Sequence, residues 1–412
     1  MKGFFDTRTR QEVLDIIADF HPVETETVLS AKASGRVLST DVTSPCDVPH
    51  FNRAMMDGYA VRAEDLSRAS AETPATLTVT GRVEMGQPAG CAMKSATAVE
   101  VGTGAALPDG ADAVVMLEYT EQLKENVIMV SRPVARYENI MRVGWDFAKG
   151  ETLFRAGKRM AAKDIAALLT AGVTEVEVFK KPVATLISTG NELVAYDREP
   201  AVGQIRESNI AVLAALLEQD GGVPVTAGIV RDDLDKLKDA VERGVSSSDM
   251  VLISGGSSVG ARDVTLAALE SFEKSRILVH GVSVRPGKPT IVARINGKPV
   301  IGVPGHPVSS VISYGVVVKP VLDQLAGCRR EMVVGRSGSV VRATLSERVP
   351  ALTGRDEYIR VKLERGVHGL LAVPLGRSSG AVSTLSKADG WILVDMNSEG
   401  IEAGEDVEVT LF

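Results

Sequence analysis

The sequence predicts a multidomain protein of the α/β plus β class. A central doubly wound α/β domain lies between a split N-terminal domain with a β-rich insertion and a small C-terminal β-barrel. Three observations carry this reading. Between residues 183 and 325, apolar runs of strand length alternate with stretches of helical spacing, the signature of repeated βα units and a buried parallel sheet. Residues 76–144 are short strand-like runs separated by turns. After Gly327 the chain is again strands and Gly-, Ser- and Asp-rich turns, over a length that suits a small closed barrel.

In chain order, residues 10–20 place Val13, Ile16, Ile17 and Phe20 on one helical face, and a shorter helical stretch is expected over 28–33. An irregular segment follows from Ser44 to Val61, with Pro45 and Pro49 excluding a helix and Asp57-Gly58 reading as a turn. Strands are expected at 76–83, 98–101, 113–117 and 127–130, a helix over 163–172 and a strand over 173–179. The tail adds strands at 340–344, 358–363, 370–373, 391–394 and 407–411. The expected division is residues 1–45 with 145–178, 46–144, 179–328 and 329–412.

The candidate site lies in five turns of the α/β stretch. They are residues 188–193 (STGNEL), 231–233 (RDD), 254–263 (SGGSSVGARD), 285–289 (RPGKP) and 303–307 (VPGHP). Each alone is ordinary Gly/Pro punctuation. Ligands of open α/β sheets bind at the carboxyl ends of the strands, and these turns bring Glu192, Asp232, Asp263, Arg285 and Lys288 to that edge. Carboxylates beside cations suit an anionic ligand held with a hard cation such as Mg2+. The helix expected from Pro307 to Leu325 offers its first N–H groups, with Ser309 and Ser310, to a phosphate. Asp263 reads equally as an N-cap for the helical run 264–269.

Several classes are excluded. Gly255, Gly256 and Gly260 lack GxGxxG spacing, and the Gly281 to Lys288 stretch is one residue too long for a Walker loop, with Pro289 where Ser or Thr is needed. A net charge of −7 over 412 residues argues against general nucleic-acid binding. Cys46, Cys91 and Cys328 form no metal motif or disulfide framework, which points to a reducing cytoplasm. No apolar run reaches membrane-spanning length, and the first residues lack the apolar core of a signal peptide.

Laid out in order, these segments resemble the molybdopterin molybdenumtransferase family, the MoeA type related to the E domain of gephyrin. The likeness rests on SPCDVPHFNRAMMDGYAV at 44–61, VGTGAALPDGADAVVMLE at 101–118 and MRVGWDFAKG at 141–150. It continues through ISTGNEL at 187–193, GIVRDD at 228–233, SGGSSVGARD at 254–263, RPGKP at 285–289, GVPGHPVSS at 302–310 and GRDEYIRVKL at 354–363.

The resemblance implies that the α/β domain binds molybdopterin and that the split N-terminal domain is elongated. It also implies a homodimer whose cleft takes residues from both subunits. The implied reaction inserts molybdenum from molybdate into adenylylated molybdopterin with magnesium present and AMP released. A molybdopterin adenylyltransferase is the implied partner. Asp57, Thr103, Asp146, Glu192, Asp232 and Asp263 match functional positions of the family, and Pro304 and Pro307 flank its pterin-side loop. The acids Asp57, Asp146, Glu192, Asp232 and Asp263 are the candidate catalytic groups, with Glu192, Asp232 and Asp263 as candidate metal ligands. Thr103, Ser257, Arg285, Lys288, Pro304, Pro307 and Ser309 are candidate ligand-binding groups. Departures from the family pattern are Gly281 where Lys is frequent, Arg285 for Lys, Trp145 for an acid and His306 for Asn. Tungstate is therefore the alternative oxyanion. The alternative functions are a nucleotide pyrophosphatase or adenylyltransferase, and a gephyrin-like scaffold.

Overall fold

The computed structural model describes residues 7–255, 264–329 and 340–412. Helix α1 (Arg10–Ile17) starts in a capping box, with Thr9 and Glu12 each bonding the other's backbone N–H. The helical stretch expected over 28–33 is instead the end of a strand, β1 (Thr25–Leu29), and a single 3-10 turn at Ser30–Lys32. Val28 and Leu29 are held by pairing with a distant strand, which outweighs weak local helical spacing.

The insertion is a six-stranded sheet of β2 (Gly58–Val61), β3 (Ala75–Val83), β4 (Thr97–Val101), β5 (Ala113–Met116), β6 (Thr120–Lys124) and β7 (Val127–Val130). Their spatial order is β5-β2-β4-β3-β7-β6. The sequence did not mark β2 or β6. Gly58 is there for space rather than for a turn, since a Cβ on it would overlap the Val115 carbonyl of the neighbouring strand. After helix α2 (Ala162–Thr170), β8 (Glu175–Phe179) pairs antiparallel with β1.

The central sheet contains β9 (Val183–Thr189), β10 (Val223–Val230), β11 (Met250–Ser254), β12 (Ser275–His280), β14 (Ile291–Ile295) and β15 (Lys298–Val303). The short β13 (Val284–Arg285) lies in the loop between β12 and β14. Spatial order is β10-β9-β11-β15-β14-β12, with β10, β9, β11 and β15 parallel and β14 antiparallel to both its neighbours. Period-2 alternation sorts the side chains. Leu186, Leu252 and Ile301 face helices α1, α3 (Asn209–Gln219), α6 (Pro307–Ser313) and α7 (Lys319–Leu325). Ile187, Val251, Ile253 and Val300 face α4 (Leu234–Ser247) and α5 (Val264–Glu270). The sheet is thus covered on both sides, as expected. Between α6 and α7, residues Tyr314–Val318 form a π turn in which the Lys319 N–H reaches back to the Tyr314 carbonyl. Pro320, which has no N–H to continue an α ladder, follows at once.

The C-terminal strands are β16 (Val340–Leu345), β17 (Asp356–Gly366), β18 (Gly369–Pro374), β19 (Gly390–Val394) and β20 (Asp406–Leu411). They pair β17-β18-β16-β20-β19 and close by β19 on β17, giving a five-stranded barrel. Ile359, Val361, Ala372, Ile392 and Val409 fill it. β13 adds parallel to β17, so the loop between β12 and β14 is tied to the barrel wall.

Candidate functional site

β12 is antiparallel to β14, and β14 to β15, so β12 runs in the same direction as the four parallel strands. All five turns therefore leave the central sheet at one edge. Hydrogen bonds join them in groups.

The first turn clasps the second. Asp232 Oδ1 accepts from Thr189 Oγ1 at 2.9 Å and Asp232 Oδ2 from the Asn191 N–H at 3.4 Å. The Asp232 N–H in return donates to Asn191 Oδ1 at 3.3 Å. Asp233, which the sequence had not assigned, caps α4 by accepting from the Lys236 N–H at 3.0 Å. An Asp directly before a helical run was the signal for that cap. Glu192 is exposed one residue beyond Asn191, its carboxylate folded over Gly190.

The third turn meets the fifth. Gly255 has φ +104° and donates to the Val303 carbonyl at 3.1 Å. Asn209, at the start of α3, donates from Nδ2 to Ser254 Oγ at 2.9 Å and to the Gly305 carbonyl at 2.8 Å. Ser257 and Asp263 lie outside the described residues.

The fourth turn faces two ways. Gly287 packs on Ser313 of α6, and the Thr290 hydroxyl lies 2.8 Å from that of Ser313. Arg285 reaches the barrel, where its Nη1 is 3.3 Å from Oε1 of Glu357. Arg355 and Arg377 share the same carboxylate at 3.3 and 3.6 Å. Glu357 is 1% exposed and Arg360 beside it 2%. Burial lowers the Arg360 guanidinium pKa, and its Nη2 donates to the Gly376 and Ser378 carbonyls. Glu357 and Arg360 lie within the GRDEYIRVKL segment, yet nothing in the local sequence separates a buried glutamate from a solvated one. Lys288 is exposed, and its carbonyl accepts from the Val282 N–H at 2.9 Å.

The helix start is less open than its sequence suggested. Pro304 and Ser309 are buried and Pro307 is half-buried at the first turn of α6. The Val308 N–H is already donated to the Ser379 carbonyl at 3.2 Å, and Ser379 Oγ lies 3.2 Å from His306 Nδ1. Ser309 and Ser310 are 5% and 1% exposed, so their hydroxyls face protein rather than solvent.

Asp57 and Thr103 form a separate pair on the insertion. Asp57 Oδ1 accepts from the Thr103 N–H at 2.7 Å and from its hydroxyl at 3.0 Å. These two bonds, the amide first, hold the Asp57 carboxyl below the usual aspartate range. The favourable contribution of the ionised pair is therefore present above the unfolded-state pKa and lost as pH falls through the folded-state value. Thr103→Val removes the hydroxyl and keeps the amide. Carbon-13 NMR of the Asp57 carboxyl is expected to show its pKa rising part of the way to the ordinary value, and an unmoved titration would show that the hydroxyl contributes nothing. Asp146 is exposed on a neighbouring loop, its N–H donated to the Val48 carbonyl at 2.9 Å. Among the described residues, no hydrogen bond or ion pair joins residues 49–143 to the central sheet or its helices. Within one chain, the acids thus form two sets.

For a divalent cation, Glu192 and Asp232 offer hard oxygens on adjoining turns, and two carboxylates plus a ligand phosphate suit magnesium. Among the described residues, no group of three His, Cys, Asp or Glu side chains is placed to hold one ion.

Comparison with known proteins covers the same ground. Residues 8–172 match the MoeA N-terminal region (domain I and II), residues 185–324 a probable molybdopterin binding domain, and residues 342–412 the MoeA C-terminal region (domain IV). Molybdopterin molybdenumtransferase of Nostoc sp. is 32% identical over 391 residues, covering 94% of this chain and 88% of that protein. The protein of the same name from Bacillus subtilis is 32% identical over 393 residues, with 94% and 90% covered. The molybdopterin biosynthesis moeA protein from Pyrococcus horikoshii OT3 superposes with a TM-score of 0.84 at 32% identity, covering 99% of this chain and all of that one. Matched along nearly its whole length in sequence and in fold, this chain belongs to the molybdopterin molybdenumtransferase family of the MoeA type.

Proposed function

We propose that the edge where the five turns meet binds adenylylated molybdopterin and that the protein inserts molybdenum from molybdate into it, releasing AMP. The chain is a molybdopterin transferase of molybdenum cofactor biosynthesis by family. The observation that carries the finer reading is that acids and cations leave the same edge of the sheet, Glu192 and Asp232 on the clasped first and second turns and Arg285 and Lys288 on the fourth. Arg285 and Lys288 would take the anionic groups of the ligand, since charge-assisted bonds to phosphate are stronger than neutral ones. Glu192 and Asp232 would hold magnesium, with Asp263 as the further candidate ligand, and the cation would neutralise phosphate charge as AMP leaves.

Asp57, with Thr103, would join the proposed site through a second copy of the chain, since residues 49–143 make no polar link to the central sheet of their own chain among the described residues, and Asp146, bonded to Val48, would come with them. A homodimer is therefore part of the proposal, and a molybdopterin adenylyltransferase is the reaction that would supply the substrate. The test offers adenylylated molybdopterin to the purified protein with magnesium, with and without molybdate or tungstate, and follows AMP. Release that requires both oxyanion and magnesium is expected, and chelation should abolish it. AMP released equally without an oxyanion would identify a pyrophosphatase instead.

A further inference from the structure

We propose that Asn209 is a positioning residue that sets the spacing between the third and fifth turns, and through it the geometry of the pterin-side loop between Pro304 and Pro307. The inference rests on the functional reading above and adds a residue to it. Asn209 is 9% exposed, and its one amide nitrogen divides its two hydrogens between Ser254 Oγ, at the end of β11, and the carbonyl of Gly305, beyond the end of β15.

The base from which Asn209 projects is itself fixed. Glu207, 7% exposed, accepts from the Ile210 N–H at 2.8 Å and from Ser188 Oγ of β9 at 3.4 Å. The segment from Glu207 to Asn209 thus makes side-chain bonds to the exits of β9 and β11 and to the turn after β15. The two turns that Asn209 spans are also neighbours, since a Cβ on Gly305 would make ordinary contact with the Gly255 Cα at 3.5 Å. With Pro304 and Pro307 fixing φ on either side of Gly305 and His306, the Gly305 carbonyl is the point where a side chain can set the loop's distance from the rest of the edge. Gly305 is exposed, so on losing the Asn209 donor its carbonyl would turn to water, and the loop would move with it.

Asn209→Asp preserves shape and replaces the donor facing Gly305 by an acceptor. Hydrogen exchange by mass spectrometry is expected to show faster exchange between residues 303 and 310, with the amides of β9 and α4 unchanged. In the AMP-release assay, KM for adenylylated molybdopterin is expected to rise about tenfold while kcat stays within about twofold, the pattern of lost uniform binding. Ser254→Ala removes the other bond and frees Asn209 from the third turn, so both readouts should move in the same direction but by less than in the aspartate variant. Asn209→Ala serves the same comparison should the aspartate variant not fold.

Wild-type KM and exchange in a folded Asn209 variant would overturn the proposal. So would exchange quickened equally across the whole central sheet, or failure of both variants to fold, because Asn209 would then be a determinant of the fold at large. If the wild-type protein releases no AMP, the functional reading fails, yet the exchange pattern still decides what Asn209 does.

Discussion

Gly255→Ala is expected to destabilise the protein by roughly 2–5 kcal/mol, combining about 1–3 kcal/mol for overpacking with about 1–2 kcal/mol for a non-glycine residue in left-handed backbone. The added Cβ would overlap the Thr189 carbonyl oxygen, and that oxygen belongs to the adjoining strand. Neither strand can yield cheaply. Thr189 is 2% exposed with its hydroxyl bound to Asp232, and the Gly255 N–H is bound to Val303. Urea unfolding followed by far-UV circular dichroism measures the change. A loss within about 0.5 kcal/mol, the usual range for surface substitutions, would mean that the edge is not packed as described.

The second large effect is expected at Glu357. Replacing it with leucine should lower stability by about 2–3 kcal/mol, in the range for hydrogen bonds to charged groups. Fully uncompensated buried charges cost more, but Arg285, Arg355 and Arg377 retain side-chain exposures of 45%, 31% and 35% and can turn to solvent. Glu357→Gln keeps the volume and part of the hydrogen bonding, so its loss should be smaller. Equal stability of leucine variant and wild type in denaturant titrations would show that the arginines do not depend on this carboxylate. The variant should also loosen Arg285, whose loop is tied to the barrel both by that ion pair and by pairing with β17.

Much of the fold was legible in the sequence because buried parallel strands are continuous apolar runs. The run 183–187 lies within β9, 250–253 within β11 and 300–303 within β15, and the five expected tail strands are all present. What escaped lacked a period. β6 reads Thr-Glu-Gln-Leu-Lys and is exposed along nearly its whole length, so no apolar alternation marked it. β2 follows a proline-rich segment and has glycine at its first position. The expected helix over 28–33 failed because pairing with β8 is information from the far side of the insertion.

The site divides in the same way. Placement of the turns at one edge follows from strand direction and was readable. The bonds that organise the edge were not, since Asn209, Glu207 and Glu357 are polar residues whose burial depends on neighbours distant in sequence. The open helix start was expected from sequence because Ser379, which takes the Val308 N–H, comes from the barrel.

The pairing of β1 with β8 has a consequence during synthesis. Thr25 leaves the ribosome long before its partner Phe179 exists. At roughly 5–20 residues per second, the delay is on the order of ten seconds. Before that interval ends the whole insertion has been made and can form its own sheet and the core centred on Leu77, Val115 and Ile128, while β1 waits with an unpaired edge. β1 is therefore among the later strands to find its place, and a nascent chain halted before β8 would carry a folded insertion on an unclosed base.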